Sequence, residues 1–190
     1  MKSLIQIPLI AFLLVITPTL VAQTQDSRIQ LASLDHLAAK ASQTVDVSID
    51  ERLMRIAWKV FSDKKDGEKE IKKLISVLKG IYVKSFGFEA DGQYTPADLE
   101  SIRTQLRGPG WSRMVNVTSK KEGILEVYLM LTGEQISGLA VLHSDARELT
   151  VVNIVGPLDL EQLSELEGQF GVPELGIEPE KKPKTKNDEK

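Results

Sequence analysis

Residues Trp111–Val155, WSRMVNVTSKKEGILEVYLMLTGEQISGLAVLHSDARELTVVNIV, decide the fold. Four runs have strand composition: Trp111–Val117, Ile124–Leu131, Gln135–Leu142 and Glu148–Val155. They are separated by Lys120-Lys121-Glu122-Gly123, by Thr132-Gly133-Glu134 and by Ser144-Asp145-Ala146-Arg147. Connections this short force antiparallel neighbours, so the region predicts a four-stranded meander. In the second run Leu125, Val127, Leu129 and Leu131 share one face, and Glu126, Tyr128, Met130 and Thr132 share the other. The alternation predicts the leucine face as core and the second face as the wetter one. Tyr128 and Met130 would then leave apolar atoms in water, which makes them candidate partner-contact residues.

Upstream, Leu31, Leu34, Leu37, Ala38 and Ala41 recur at helical spacing after a short polar lead, Gln23–Arg28. Thr44–Ile49 alternates strictly and predicts a half-buried strand with Val45, Val47 and Ile49 inward. Asp50 can cap a helix whose apolar stripe is Leu53, Ile56, Ala57, Val60 and Phe61. Ile71–Leu78 predicts a further amphipathic helix, and Ile81–Phe88 a strand. Thr95-Pro96 is a helix start, with Leu99, Ile102 and Leu106 facing inward and Gly108-Pro109-Gly110 as the stop. Downstream, Gly156-Pro157 is expected to end the sheet, and Asp159–Phe170 predicts a last helix. The expected class is α+β: one mainly antiparallel sheet of about six strands, with helices packed on one face.

The ends of the chain speak to compartment. Lys2, the apolar run Leu9–Ile16, Pro18 and the small-residue exit at Val21-Ala22 have the layout of a secretory signal peptide over residues 1–22. A retained anchor over Leu4–Val21 is the competing reading. Residues 23–176 are expected to form one domain. The Pro-, Lys- and Glu-rich stretch 177–190 is expected to be a disordered tail. The chain has no cysteine. That excludes a disulfide, a thiol nucleophile, a thiolate metal ligand and the lipid attachment of a bacterial lipoprotein. An exported chain without disulfides reads as bacterial, periplasmic or secreted.

Charge and motifs restrict function further. The net charge of the whole chain is −3, and Lys2 is the one charge in the first 22 residues, so the remainder is more negative still. An acidic chain with 5% aromatic residues lacks the footprint of a nucleic-acid binder. His36 and His143 are the two histidines; Asp35 and Asp145 are their only acidic neighbours at metal-ligand spacing, and adjacent residues on a helix do not face each other, so a structural or surface role is expected. There is no Gly-x-Ser-x-Gly elbow and no phosphate-binding glycine loop. Carboxylates such as Asp98/Glu100 read as solvated helix faces. Asn116-Val117-Thr118 matches a glycosylation sequon, but inside a predicted strand it reads as chance.

Leu149–Leu163, LTVVNIVGPLDLEQL, resembles the closing segment of a bacterial family catalogued as domain-of-unknown-function family 4252. The segment is a hydrophobic strand, a glycine and a helix opening near Asp-Leu-Glu-Gln-Leu. The order before it is similar as well, from an early helix and a Val-x-Val-x-Ile strand to Lys79-Gly80-Ile81 leading into a strand. The likeness covers about residues 28–170. It implies an exported bacterial protein; members are often lipoproteins, a feature this cysteine-free chain lacks. It implies no activity, so no catalytic, cofactor or metal residue follows from it. The expectation is a non-enzymatic envelope module that binds another envelope protein. A small-ligand or lipid carrier and, behind it, a carboxylate-based hydrolase stand as alternatives.

Overall fold

The computed structural model describes residues 26–60 and 76–159. The elements in chain order are a 3-10 helix Ala32–Ala39, β1 Gln43–Ile49, α1 Glu51–Val60, β2 Gly80–Gly87, α2 Pro96–Leu106, β3 Trp111–Ser119, β4 Gly123–Thr132, β5 Gln135–Ser144 and β6 Glu148–Leu158. The strands form one six-stranded sheet in the order β1-β2-β6-β5-β4-β3, and every neighbouring pair is antiparallel. The meander is therefore present, and β2 returns beside β6 to make it central. The α+β class holds. The predicted helices over Ile71–Leu78 and Asp159–Phe170 lie largely outside the described residues.

The sheet is apolar on both faces, and this overturns the expected division. Tyr82, Phe86, Tyr128, Ala140, Leu142, Leu149 and Val151 line the first face. Leu34 and Leu37 of the 3-10 helix, and Leu99, Ile102 and Leu106 of α2, pack on it. Val127, Leu139, Val141, Val152 and Ile154 line the second face, joined by Met54 of α1 and by Leu78. Tyr128 is 6% exposed and Met130 1%, so neither is the surface contact that the alternation predicts. Leu125 and Leu129 are only half-buried, and Leu131 is exposed. The reason is the composition of β4: from Ile124 to Leu131 every residue but Glu126 is apolar. A strand buried on both faces reads as a continuous apolar run, and its period of two then carries little information.

Other departures have similarly local causes. The first helix is 3-10, and its turn of three residues aligns Leu31, Leu34 and Leu37 in one row. All three are buried. β1 is an edge strand, so Val45 stays exposed and Val47 and Ile49 are only half-buried. In α1, Asp50 does cap, its Oδ1 accepting from the backbone N–H of Arg52 and Leu53 at 3.0 Å each. Among its described side chains Met54 is the buried one, however, while Ile56 is 58% exposed. Gly156-Pro157 does not end the sheet, because β6 continues to Leu158. A side chain at Gly156 would meet Leu78 Cα and the Val77 carbonyl at 2.9 Å. The glycine therefore serves the close approach of residues 77–79.

The lead before the 3-10 helix is a fastened strap. Ser27, Ile29 and Leu31 alternate inward. Asn153, fully buried at the centre of β6, holds them. Its Oδ1 accepts from Ile29 N–H at 2.9 Å, and its Nδ2 donates to the carbonyls of Ser27 at 3.0 Å and Leu139 at 3.2 Å. Ser27 Oγ donates to the Ser137 carbonyl at 2.8 Å. Gln105 of α2 exchanges two amide hydrogen bonds with the backbone of Gln30. Ile29 and Leu31 alternate with Arg28 and Gln30, but two apolar residues are too short a pattern to announce a strap.

Candidate functional site

At one end of the first sheet face the β3–β4 turn, the β5–β6 turn and the start of α2 converge. Thr95 precedes α2, and Pro96 opens it with a preset φ and no N–H to satisfy. Asp98 reaches back, its Oδ2 accepting from Thr95 N–H at 2.7 Å and Thr95 Oγ1 at 2.8 Å. Its Oδ1 meets His36 Nε2 at 2.8 Å, which ties α2 to the 3-10 helix. Burial works against the charge, but the bonds from Thr95 and His36 outweigh it and hold the Asp98 carboxyl below its ordinary 3.8. A lowered pKa stabilises the fold in full above that ordinary value, and the gain is lost as pH falls through the lowered one. Asp98→Asn should therefore cost about 1 kcal/mol at neutral pH. Urea titrations should show the gap between wild type and variant closing only below the ordinary carboxylate range.

Two turns bring the walls together. Gly123 has φ +82°, and a Cβ there would lie 2.2 Å from the Ser144 carbonyl and 2.8 Å from Asp145 Cα. Only glycine lets the β3–β4 turn press on the β5–β6 turn. Gly123→Ala should destabilise by roughly 1–3 kcal/mol, read as a lower urea midpoint. Asp145 Oδ1 accepts from the N–H of Arg147 at 2.7 Å and Glu148 at 2.6 Å, which fixes the second turn. Tyr94 packs its ring on Phe88, with centroids 5.5 Å apart. Its hydroxyl donates to the carbonyls of Asp145 and Glu148. Burial, reinforced by the nearby Asp145 and Glu148 charges, pushes the Tyr94 pKa up to about 12. It is a neutral clamp at any physiological pH.

The result is an open groove of about 400 Å³. Tyr94, Pro96 and Ile124 give it apolar surface, and Lys120, Lys121 and Arg103 give it positive charge. Ser119 Oγ accepts from the N–H of Lys121 and Glu122, at 3.2 and 3.1 Å, and so fixes the backbone that carries the two lysines. Asp145 is the one carboxylate in the lining.

Beneath the groove lies the buried carboxylate of Glu126. Arg103 Nε and one terminal nitrogen reach its Oε2 at 2.9 Å each. Arg113 and the Tyr128 hydroxyl approach Oε1 at 3.4 and 3.3 Å. Burial first, and then the Glu126 charge, raise the Tyr128 pKa, so the phenol remains a donor. Tyr128 is thus a structural anchor of this cluster, and Met130 belongs to the core. Neither lines the groove. In the sequence Lys120 and Lys121 are turn residues, and their one legible signal is two adjacent cations at the tip of a hairpin in an acidic chain.

The model of the family described as Domain of unknown function (DUF4252) matches residues 39–166. The chain belongs to that family. The match spans the sheet from β1 to β6, including all three segments that wall the groove. No curated protein and no solved structure matches the chain. Among the described residues of this DUF4252 member, no helix is long and apolar enough to cross a membrane. No group of three His, Asp or Glu side chains among them could hold a metal ion.

Proposed function

We propose that this DUF4252 protein is an exported, non-enzymatic binding module of the bacterial envelope, and that it meets its partner at the groove between α2 and the two turns. The observation that carries the reading is the composition of that groove. Two ammonium groups without an ion pair among the described residues stand beside partly exposed apolar surface on backbone fixed by hydrogen bonds. Hydrolysis by carboxylates needs two acids opposed across a cleft. Here the lining carboxylate, Asp145, is held by the backbone of its own turn, and Glu126 lies below, engaged by two arginines. Tyr128 and Met130 take no part, since both are buried. Export rests on the signal-like residues 1–22.

Two measurements test the proposal. Mass spectrometry of the protein in its native host should find a mature form beginning near Gln23 in the periplasmic or secreted fraction. An intact Met1 form in the cytoplasm would overturn the compartment. A photo-crosslinking residue at Lys121 should yield a protein adduct in living cells; adducts at no surface position would overturn the binding role.

A further inference from the structure

We infer that the groove takes an acidic peptide segment of a partner protein, one that carries an apolar side chain between its carboxylates. This rests on the binding-module reading above and names the chemistry of what is bound.

Charge is the first argument. The arginines around the groove each meet a carboxylate: Arg103 and Arg113 share Glu126, Arg107 meets Glu100 and Arg147 meets Asp91. Lys120 and Lys121 have no ion pair among the described residues. The chain as a whole is acidic, so two adjacent lysines without an ion pair, against the one lining carboxylate Asp145, are a local feature and not overflow from a basic protein. A complementary anion is steered there and gains most where the lysine backbone is already ordered. Ser119 and Gly123 supply that order.

The second argument is the floor. Ile124 and Tyr94 are half-buried, and Pro96 is exposed. An inorganic anion would leave this surface wet, whereas a peptide alternating apolar and acidic residues covers it. The groove is open, so a fatty acid lodged in it would leave much of its tail in water. A bilayer is disfavoured as well. The site is concave, and a net negative chain is repelled by an anionic surface outside the immediate reach of the two lysines.

The test uses the full chain and a fluorescein-labelled Glu-Leu-Glu-Glu-Leu-Glu peptide, read by fluorescence anisotropy. The lysine counterpart Lys-Leu-Lys-Lys-Leu-Lys and phosphatidylglycerol vesicles serve as comparisons. The acidic peptide should bind, and Lys120→Glu with Lys121→Glu should raise its Kd about tenfold. Ile124→Ser should raise it by about fivefold. Circular dichroism should show both variants folded. Equal binding of the lysine peptide, or a Kd untouched by the double charge reversal, would overturn the inference. So would lysine-dependent sedimentation with vesicles without peptide binding, which would assign the groove to a membrane. Photo-crosslinking in cells separates this inference from the reading beneath it. Adducts at Arg52 on α1 but none at Lys121 would leave the protein a binding module and remove the groove from the contact. Adducts at no surface position would remove the module reading itself. Adducts at Lys121 that excess acidic peptide suppresses would support both.

Discussion

The Tyr128→Ser, Met130→Ser double variant should be unfolded, or nearly so, at room temperature. Tyr128 lies in the face covered by the 3-10 helix and α2, and Met130, two residues on in the same strand, is 1% exposed. Truncating a buried Met or aromatic residue costs about 2–5 kcal/mol. Two such losses approach the roughly 5–15 kcal/mol that holds a typical domain together. Tyr128→Ser carries a further penalty, because it removes the phenol that donates to the buried Glu126. Urea denaturation followed by far-ultraviolet circular dichroism measures the effect. The half-buried Leu129 offers the contrast, and Leu129→Ser should leave a cooperative transition. A folded double variant of near wild-type midpoint would mean that the face is not core.

Asn153→Leu should cost about 3 kcal/mol, although the two side chains share the same branched heavy-atom skeleton. The amide serves three backbone groups at once: Ile29 N–H and the carbonyls of Ser27 and Leu139. Leucine leaves these groups to a dry interior, and each unsatisfied buried group costs about 1–3 kcal/mol before relaxation. The relaxation open to the chain is release of residues 26–31 into water, which exposes Ile29 and uncovers part of the first face. Hydrogen exchange should show this directly. The Ile29 amide should lose protection by several orders of magnitude while the β5–β6 amides keep most of theirs. Equal loss across the sheet would mean that the strap and the sheet unfold as one unit.

These two experiments fall where local pattern and tertiary packing part company. The meander was legible because its information is local. Turn residues at 120–123, 132–134 and 144–147 stand between apolar runs, and loops that short allow only antiparallel neighbours. The start of α2 was legible for the same reason, since Thr95, Pro96 and Asp98 act within one turn. The Asp50 cap is a third case. Which face of β4 is core was not legible. Both faces are apolar, and what covers each one is set by residues far away in the chain.

The same divide explains the strap and the groove. Ile29 and Leu31 alone are too short a pattern to announce burial of residues 26–31; Asn153, 124 residues beyond Ile29, decides it. A buried asparagine in an apolar strand is a cost unless its hydrogen bonds are met, and only the folded chain brings the donor and acceptors together. The groove arises because Gly123 lets two turns touch, and α2 closes the third side. By itself the sequence determined the strand runs, the turns, the caps, the family and the absence of thiol chemistry, each of which depends on composition or on neighbours a few residues apart. The tertiary structure alone decided that both sheet faces are covered, that Tyr128 and Met130 are interior, and that Lys120 and Lys121 stand beside Ile124. Those outcomes depend on contacts between segments whose separation in sequence carries no periodic signal.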